Sequence, residues 1–572
     1  MVLPAFDPQP LLTGAPETEL VSPAFDRPLR IGVLLDGLTT ERWVAKILQD
    51  ITTAPFLRLS LVIVDASDDP APPTWREWLS RQRAVAPYRL WEWYQATDYR
   101  RFRREGVDPF EPVDVTPLVR EAALFRVKPL RKRFVDRFDP EDVQRVRDAR
   151  LDVMLRFGFR IVKGELLDAA AFGTWSLHHG DNRAYRGGPA LFWEMYEGNP
   201  ESGTVLQVLT DTLDGGKVLY RSIAGTQFGS LHKNRRETYW KSAEFMMRRL
   251  ADLHRNGWTA LQQLATYNEP NTYTRGIYRR PTNPQMVRFL AKTYGYRLQQ
   301  KMLGALQEQW VIAFRRRGSN DQFTIVDPPA GHFYADPFLA EQDDRTFVFF
   351  EDYSYRDGKG SIAAAELGPK GIDQRFTVLA GPEHLSYPSL FQWRGEWFMI
   401  PETGARRRVE IWRARRFPDE WELERVAFDG VDAIDATVCS HDDRWWMFVT
   451  LCVPGGPRAD ELSLFYADTP LGSWRAHRAN PVVSDAAHAR SAGALYREGD
   501  ALIRPSQDAR GGYGHAVTLS RIDRLTTLEF HETPIGAIRP TWHPRVRGTH
   551  TIARSSLFEV VDGRLLRFRR RA

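Results

Sequence analysis

The sequence predicts a multidomain protein: an α/β domain built on a mainly parallel sheet, followed by an all-β five-bladed propeller. Three observations predict it. The chain has 572 residues, enough for two to four domains at roughly 100–200 residues each. Its first half alternates short apolar runs with helical spacings, which is the pattern of βα units. From Trp310 onward an opening motif recurs at positions 337, 388, 436, 492 and 551. A period near 50 residues, with short strands between turn residues, fits propeller blades.

The α/β domain is read over residues 28–265. Leu29–Leu35 (LRIGVLL) is a continuous apolar run ending at Asp36-Gly37, the signature of a strand buried on both faces. Thr39–Ile51 has helical spacing. Leu57–Val64 is a second strand, Leu151–Phe157 and Thr174–His178 are further short strands, and Thr204–Leu209 and Lys217–Ile223 alternate. In residues 231–256, Tyr239, Ala243, Met246, Leu250 and Leu253 recur at helical intervals, and Gly257 supplies a stop. Residues 266–309 read as a polar linker, with Pro270 and Pro281, and a connecting helix over 284–309.

The propeller is read over residues 310–572. Its openings are Ala335–Phe338, Tyr387–Leu390, Asp435–Val438, Ser491–Ala494 and His550–Ala553. Thr346–Phe350, Trp397–Ile400, Trp445–Thr450 and Ala501–Ile503 are the second strands. Asp357-Gly358, Arg394-Gly395, Asp442-Asp443, Glu498-Gly499 and Asp562-Gly563 mark turns. The strand at Trp310–Arg315 completes the short last blade. An irregular β-sandwich is the alternative, but it has no reason to repeat its opening motif.

Composition narrows the function classes. Cys439 and Cys452 are the only cysteines, which excludes a disulfide scaffold and a thiolate zinc cluster, and no metal-ligand set is read elsewhere. No run approaches the roughly 20 apolar residues of a membrane span. The Pro-rich, acidic start has no secretory pattern, so a cytoplasmic location is expected. Net charge is +6. Arg100–Arg104, Arg406–Arg408 and Arg567–Arg571 are basic clusters without an accompanying nucleic-acid motif, so no nucleic-acid partner is expected. The 18 Trp suit a carbohydrate surface as well as a core.

Residues 151–220 are richest in chemistry. Polar groups at the carboxyl ends of neighbouring parallel strands face the ligand crevice of an open α/β sheet, and His178 and His179 lie at such an end. Arg186-Gly187-Gly188-Pro189 and Asp214-Gly215-Gly216 are turns. A histidine and a carboxylate meeting there form a proton-transfer pair. The ordered set Ser176-Leu177-His178, Tyr185-Arg186-Gly187 and Leu213-Asp214-Gly215-Gly216 resembles the folate-dependent formyltransferases. The likeness covers roughly residues 28–260 and is clearest over 150–222. It implies a Rossmann-like, formyltransferase-like domain. His178 would act as general acid/base, oriented by Asp214, and 10-formyltetrahydrofolate would bind near Phe157, Gly158, Phe159 and Asp211. The acceptor, an amino sugar that is often nucleotide-linked, would lie near His179, Asp181, Tyr185 and Arg186. The family's Asn, which donates to the tetrahedral oxyanion, is Ser176 here, and loss of such a donor costs about 10²–10³ in rate. Gly180-Asp181-Asn182-Arg183 replaces the family's Ser-Leu-Leu-Pro. The chemistry is therefore either rebuilt around His178, His179 and Asp181, or lost.

In the propeller, Asp336, Glu402 and Asp435 fall on or near strands that line the axial funnel. This half resembles the five-bladed furanosidase-type glycoside hydrolases. It resembles more closely the propeller-like domain that accompanies the glycosyltransferase module of plant glucosamine inositolphosphorylceramide transferases. The resemblance implies a carbohydrate partner. Two of the carboxylates would serve either as acid and base for glycoside cleavage or as ligands to sugar hydroxyls. Three functions stay open on the sequence: formyl transfer to an amino sugar in glycan biosynthesis, glycoside hydrolysis or transglycosylation, and glycan binding without catalysis.

Overall fold

The computed structural model of the chain describes residues 24–568, other than 68–73, 133, 213–214, 265, 268–275, 304–305 and 320. The described residues divide into two compact units, 24–297 with 454–456, and 298–453 with 457–568.

The N-terminal unit contains β1 (Leu29–Leu35), α1 (Arg42–Thr53), β2 (Leu57–Asp65), α2 (Trp75–Val85), α3 (Arg89–Phe102), β3 (Ala123–Val127), α4 (Pro140–Asp148), β4 (Val153–Arg156), β5 (Thr174–His178), β6 (Glu201–Val208), β7 (Lys217–Gly225), α5 (Leu231–Leu264) and β8 (Thr266–Tyr267). α6 (Asn283–Leu303) follows. One eight-stranded sheet runs in the order β8-β7-β6-β5-β4-β1-β2-β3. The strands from β5 to β3 are parallel, and β6, β7 and β8 add antiparallel. The chain turns back between β1 and β4. Their carboxyl ends therefore flank the crevice in which open α/β sheets bind ligands.

Local sequence explains these elements. β1 buries nearly every residue between layers. α1 turns Trp43, Val44, Ile47, Leu48 and Ile51 onto the sheet, a 3.6-residue stripe. Thr74 and Glu77 form a capping box at α2, and Asp139 caps α4 ahead of Pro140. One expectation is corrected here. The helix expected from Thr39 begins at Arg42, because Thr39–Glu41 is taken into a strand pairing with Pro112–Asp114. Gly257 does supply the expected stop: its φ of 78° and ψ of 172° are non-helical, and a second helical segment follows it to Leu264.

Beyond the end of α6, the C-terminal unit is built of β-strands. Four sheets follow one another in chain order. The first is His332–Gln342, Arg345–Ser354, Lys359–Gly368 and Phe376–Leu379, and the second is Ser386–Trp393, Glu396–Thr403, Arg408–Arg416 and Glu420–Asp429. Ala433–His441, Arg444–Leu451 and Glu461–Ala467 lead the third, and Tyr496–Glu498, Ala501–Asp508, Ala516–Leu525 and Phe530–Ile538 form the fourth. A fifth sheet joins the two ends of the unit, as Leu306–Arg316 pairs along its length with Phe558–Phe568, flanked by Thr324–Val326 and Ile552–Arg554.

Three readings change here. Residues 306–309, expected in the connecting helix, extend the strand instead, because the C-terminal strand pairs with them from Leu306 onward. Asp562-Gly563 is not a turn but the middle of Phe558–Phe568. Ser491–Ala494 forms no strand and makes only a bridge from Ser491 to Ser506. By contrast Asp442 and Asp443 take φ of 49° and 57°, the paired left-handed residues of a type I′ hairpin turn.

Candidate functional site

In the first three sheets of the C-terminal unit the opening strand carries a bulge at the same place: between Ala335 and Phe338, Ser386 and Ser389, and Ile434 and Thr437. The bulge residues Asp336, Tyr387 and Asp435 have φ of 52°, 46° and 52°. A bulge re-aims a side chain, and a left-handed backbone at a non-glycine residue persists only where its surroundings hold it. Ser491 and His550 stand at the corresponding places of the fourth and fifth repeats.

These residues converge. His550 Nε2 lies 3.4 Å from Asp336 Oδ1. Arg490 Nε donates to Asp435 at 2.6 Å, and Gln507 Nε2 donates to Asp435 and to the Ser491 carbonyl, each at 3.1 Å. The Tyr387 hydroxyl bonds Thr437 Oγ1 at 2.8 Å and accepts from the Gly493 amide at 2.9 Å. Tyr513 meets the His550 ring edge-on at 5.0 Å, and Trp310 lies against it at 4.3 Å.

The second strands add carboxyls. Glu351 stands across from Ala335 and Glu402 across from Ser386, with Thr450 in the same register opposite Ile434. Burial, with the charges of Asp336 and Glu402, drives the Glu351 carboxyl well above its ordinary range. Burial and Asp435 do the same to Glu402. Burial raises Asp336 to about 6 against the pull of His550. Carboxylic acids kept protonated near neutrality can donate to a leaving oxygen or a sugar hydroxyl. Beside them Asp435, paired with Arg490, can accept. Asp336, His550 and Asp562 each bring one donor atom within 4.8 Å of the others, all buried. Two carboxylates and an imidazole are a donor set suited to a divalent cation.

The structure brings Asp336, Glu402 and Asp435 within electrostatic reach of one another. Glu351, Arg490, His550 and Asp562 escaped the sequence reading. Glu351 was within reach, since it follows Asp336 at the interval by which Glu402 follows Tyr387. Asp562 was hidden by its apparent turn. Two of the three basic residues at Arg406–Arg408 are spent on internal ion pairs, Arg406 with Glu383 and Glu410, and Arg408 with Asp429.

In the N-terminal unit, β5 carries Ser176 and His178 to its carboxyl end. His178 Nε2–H donates to the Tyr185 carbonyl at 2.9 Å. His179 stacks on Tyr239 at 3.6 Å with rings 5° from parallel, and its Nε2 bonds Ser242 Oγ at 2.9 Å. Burial lowers its pKa to about 3. Burial raises the Asp181 pKa, but Arg183 and Arg221 outweigh it and hold the carboxylate below its usual range. The Tyr185 hydroxyl donates to Glu197 at 2.9 Å. Arg186 lines a small cavity with His179, Tyr185, Glu194 and Tyr278. Ser176 is 2% exposed, and Arg156 Nη1 donates to its hydroxyl at 3.3 Å. Arg156 sits beside it on β4 and is pinned to the carbonyls of Phe159 and Arg160; no sequence signal singled it out.

The expected cofactor segment is closed by its own bonds. The amides of Phe157 and Gly158 both donate to Leu34 O, and that of Phe159 to Asp36 Oδ1. A Cβ on Gly158 would stand 2.2 Å from the Asp36 nitrogen. The Phe159 ring packs into the core against Phe138. Asp211 is exposed and accepts from the Gly164 amide at 3.0 Å. Asp214 lies outside the described residues. No helix among the described residues is long and apolar enough to cross a membrane.

A family model described as glucosamine inositolphosphorylceramide transferase 1, N-terminal, matches residues 324–548. The glucosamine inositolphosphorylceramide transferase 1 of Oryza sativa subsp. japonica is 36% identical over 226 residues, 38% of this chain and 30% of its own. That of Arabidopsis thaliana is 32% identical over 209 residues, 36% and 27% of the two chains. The chain therefore spans less than a third of these relatives' length. Among solved structures, Zg3597, a family 117 glycoside hydrolase of Zobellia galactanivorans, aligns over 45% of this chain and 91% of its own, at TM-score 0.30 and 11% identity. Glycinamide ribonucleotide transformylase 1 from Symbiobacterium toebii aligns over 42% and 88%, at TM-score 0.24 and 18% identity. The plant transferases' N-terminal region is thus what most of the C-terminal unit is similar to in sequence.

Proposed function

We propose that the protein is an enzyme of glycan biosynthesis whose C-terminal unit, a five-bladed propeller, holds a sugar at its convergent carboxyl cluster. One observation carries this reading: five repeat-equivalent positions and two buried glutamic acids meet in the C-terminal unit, all but His550 within the region similar to the transferases' N-terminal domain. Protonated Glu351 and Glu402 would donate to sugar oxygens, and Asp435 with Arg490 would orient hydroxyls. The relatives' name points to glucosamine and inositol phosphate as ligand classes. Calorimetry with glucosamine, N-acetylglucosamine, inositol phosphate and oligosaccharides tests it, beside Glu402→Gln and Asp435→Asn. Binding lost in both variants supports the reading, and no binding by the unaltered protein overturns it. Release of reducing sugar that requires Asp336, Glu402 and Asp435 would make the site hydrolytic.

A second reading is formyl transfer by the N-terminal unit to an amino sugar. It is favoured by His178, which stands at the carboxyl end of β5. The residues expected to hold 10-formyltetrahydrofolate do not fit it, because the amides of Phe157–Phe159 are already bonded within the protein. Equilibrium binding of 10-formyltetrahydrofolate, with formylation of amino sugars abolished by His178→Ala, would restore the reading. Absence of both removes it and leaves glycan binding by the C-terminal unit untouched.

A further inference from the structure

In the N-terminal unit, Val135–Arg137 pairs antiparallel with Leu130–Lys132 on one side and parallel with Ile161–Val162 on the other. Leu130–Lys132 is an edge strand of this small sheet, and Phe134 lies in the turn of the hairpin. Side chains alternate between the faces of a strand. Arg131, Asp136 and Val162 therefore share one face, which turns to the body of the unit. Asp136 is fully buried and Val162 belongs to the apolar core. Arg131 pairs with Asp65 and stands 3.7 Å from Asp136. Leu130, Lys132, Val135 and Arg137 share the other, outward face.

The outward face is both apolar and basic. Leu130 is 59% exposed and Phe134 76%, the highest value of any large apolar side chain among the described residues. Lys132 and Arg137 are exposed as well, and among the described residues neither is paired with a carboxylate. The sequence has the same bias: residues 126–137 (RVKPLRKRFVDR) hold six basic residues and one acid, Asp136, whose carboxylate is turned inward. One exposed leucine needs no explanation. Two exposed apolar side chains on one hairpin keep apolar surface in water that a partner would cover. Charge complementarity selects the partner. Basic charge alone would suit a nucleic acid, but its bases are held by stacking on rings, and Leu130 and Val135 present none. An anionic bilayer offers phosphates to the basic groups and an apolar layer just beneath them.

We propose that this hairpin docks the protein on an anionic membrane surface. Phe134 and Leu130 enter the boundary between headgroups and acyl chains, and Lys132 and Arg137 meet lipid phosphates. Arg131, paired with Asp65 on the inward face, ties the hairpin to the body of the unit and so fixes which face is presented. The surface goes beyond both functional readings and stands if either fails.

The test is flotation of the full chain with vesicles of phosphatidylcholine, alone or mixed with phosphatidylserine, beside binding of a single-stranded RNA oligonucleotide. The protein floats with the mixed vesicles, less with phosphatidylcholine alone, and added salt releases it. Leu130→Ser with Phe134→Ser, at two exposed positions, lowers the partition coefficient about tenfold or more. Lys132→Glu with Arg137→Glu lowers it on the mixed vesicles by about tenfold or more as well. Hydrogen exchange of the unaltered protein gives a readout independent of the variants' folding: mixed vesicles slow exchange in the peptide spanning residues 128–137. No flotation with mixed vesicles, equal flotation with both kinds, unchanged partition in either variant, or unaltered exchange in that peptide overturns the proposal. RNA that binds where vesicles do not overturns it in favour of a nucleic acid.

Discussion

Thr551 Oγ1 donates to Asp336 Oδ1 at 2.9 Å, tying together the first and last openings of the C-terminal repeat across 215 residues of chain. The bond lies where the bulge of the first sheet turns Asp336 inward and the fifth sheet passes beneath it. Both side chains are buried. Replacing the hydroxyl therefore leaves a buried carboxyl short of a donor. Thr551→Val is expected to cost about 1–3 kcal/mol, and Thr551→Ser to recover most of it. Urea denaturation of the three proteins decides this. Equal midpoints for Val and Thr would mean the bond contributes nothing.

The same seam has a backbone constraint. Gly493 has φ of 124°, and a Cβ there would stand 2.0 Å from Ile552 O. The amide of Ile552 meanwhile bonds Ala492 O at 2.9 Å, so the strand cannot retreat without losing that bond. Gly493→Ala is expected to lower stability by about 2–4 kcal/mol, through overpacking and a strained backbone together. Gly499→Ala is the control. Its φ is 58° but nothing stands within 4 Å of the added methyl, so only the backbone part, about 1 kcal/mol, remains. Thermal unfolding of the two variants separates crowding from strain.

These two constraints show what was legible in the sequence. The apolar runs of β1 and β2 and the alternation in β6 and β7 announced their strands, because burial on one or both faces dictates residue type directly. The repeat announced Asp336 and Asp435, because the bulge recurs with its Asp. Glu402 was recognised while Glu351 was not, although the register is the same, because Phe350-Glu351-Asp352 does not look like Pro401-Glu402-Thr403. His550 and Asp562 were invisible as site residues, since their partner Asp336 is more than two hundred residues away. Asp562-Gly563 has the composition of a turn, and only the pairing of Phe558–Phe568 with Leu306–Arg316 keeps it extended. In the N-terminal unit the position of His178 followed from its strand. The spending of the Phe157–Phe159 amides on Leu34 and Asp36 did not, since it depends on how two strand ends pack.

Arg504 is fully buried and forms two bonds to Glu532, at 2.7 and 2.5 Å. Burial alone would raise the Glu532 pKa, but the Arg504 charge and hydrogen bonds from His488 and Arg504 outweigh it and bring it to about 2. Arg504→Met strands the carboxylate in the core and is expected to cost about 3–5 kcal/mol. Glu532→Leu on top of it should recover most of that loss. A double variant no more stable than Arg504→Met would show that the arginine acts through its contacts to the carbonyls of His488 and Ala489 instead.

Glu194 gives a pH dependence whose sign is fixed. Burial first, then Asp181 and Glu197, raise its pKa from 4.5 to about 8. The folded state therefore binds a proton that the unfolded state has released between those values. Stability from this group is fully present below about pH 4.5 and is lost as pH rises toward 8. At 1.36 kcal/mol per unit the whole effect is on the order of 5 kcal/mol. Glu194→Gln stays neutral at every pH. The difference in unfolding free energy, variant minus unaltered protein, should grow steadily from pH 5 to pH 8 in favour of the variant. A difference that stays constant over that range would mean Glu194 is ionised in the folded protein.

His179 works in the opposite sense. Burial first, and then the neighbouring His178, lower its pKa from 6.5 to about 3, so it stays neutral where a free histidine charges. Its contribution to stability is present above about pH 6.5 and is lost as pH falls toward 3. The stack on Tyr239 and the edge contact with Trp43 at 5.7 Å provide the burial. Tyr239→Phe keeps the ring and should leave the histidine neutral down to pH 5. Tyr239→Ala opens the stack to water, and the pKa should climb by about one unit or more. Proton–nitrogen correlation spectra of histidine-labelled protein, titrated from pH 8 to pH 5, read the charge on His179 directly. Identical titrations in the Phe and Ala variants would show that Tyr239 does not control its protonation.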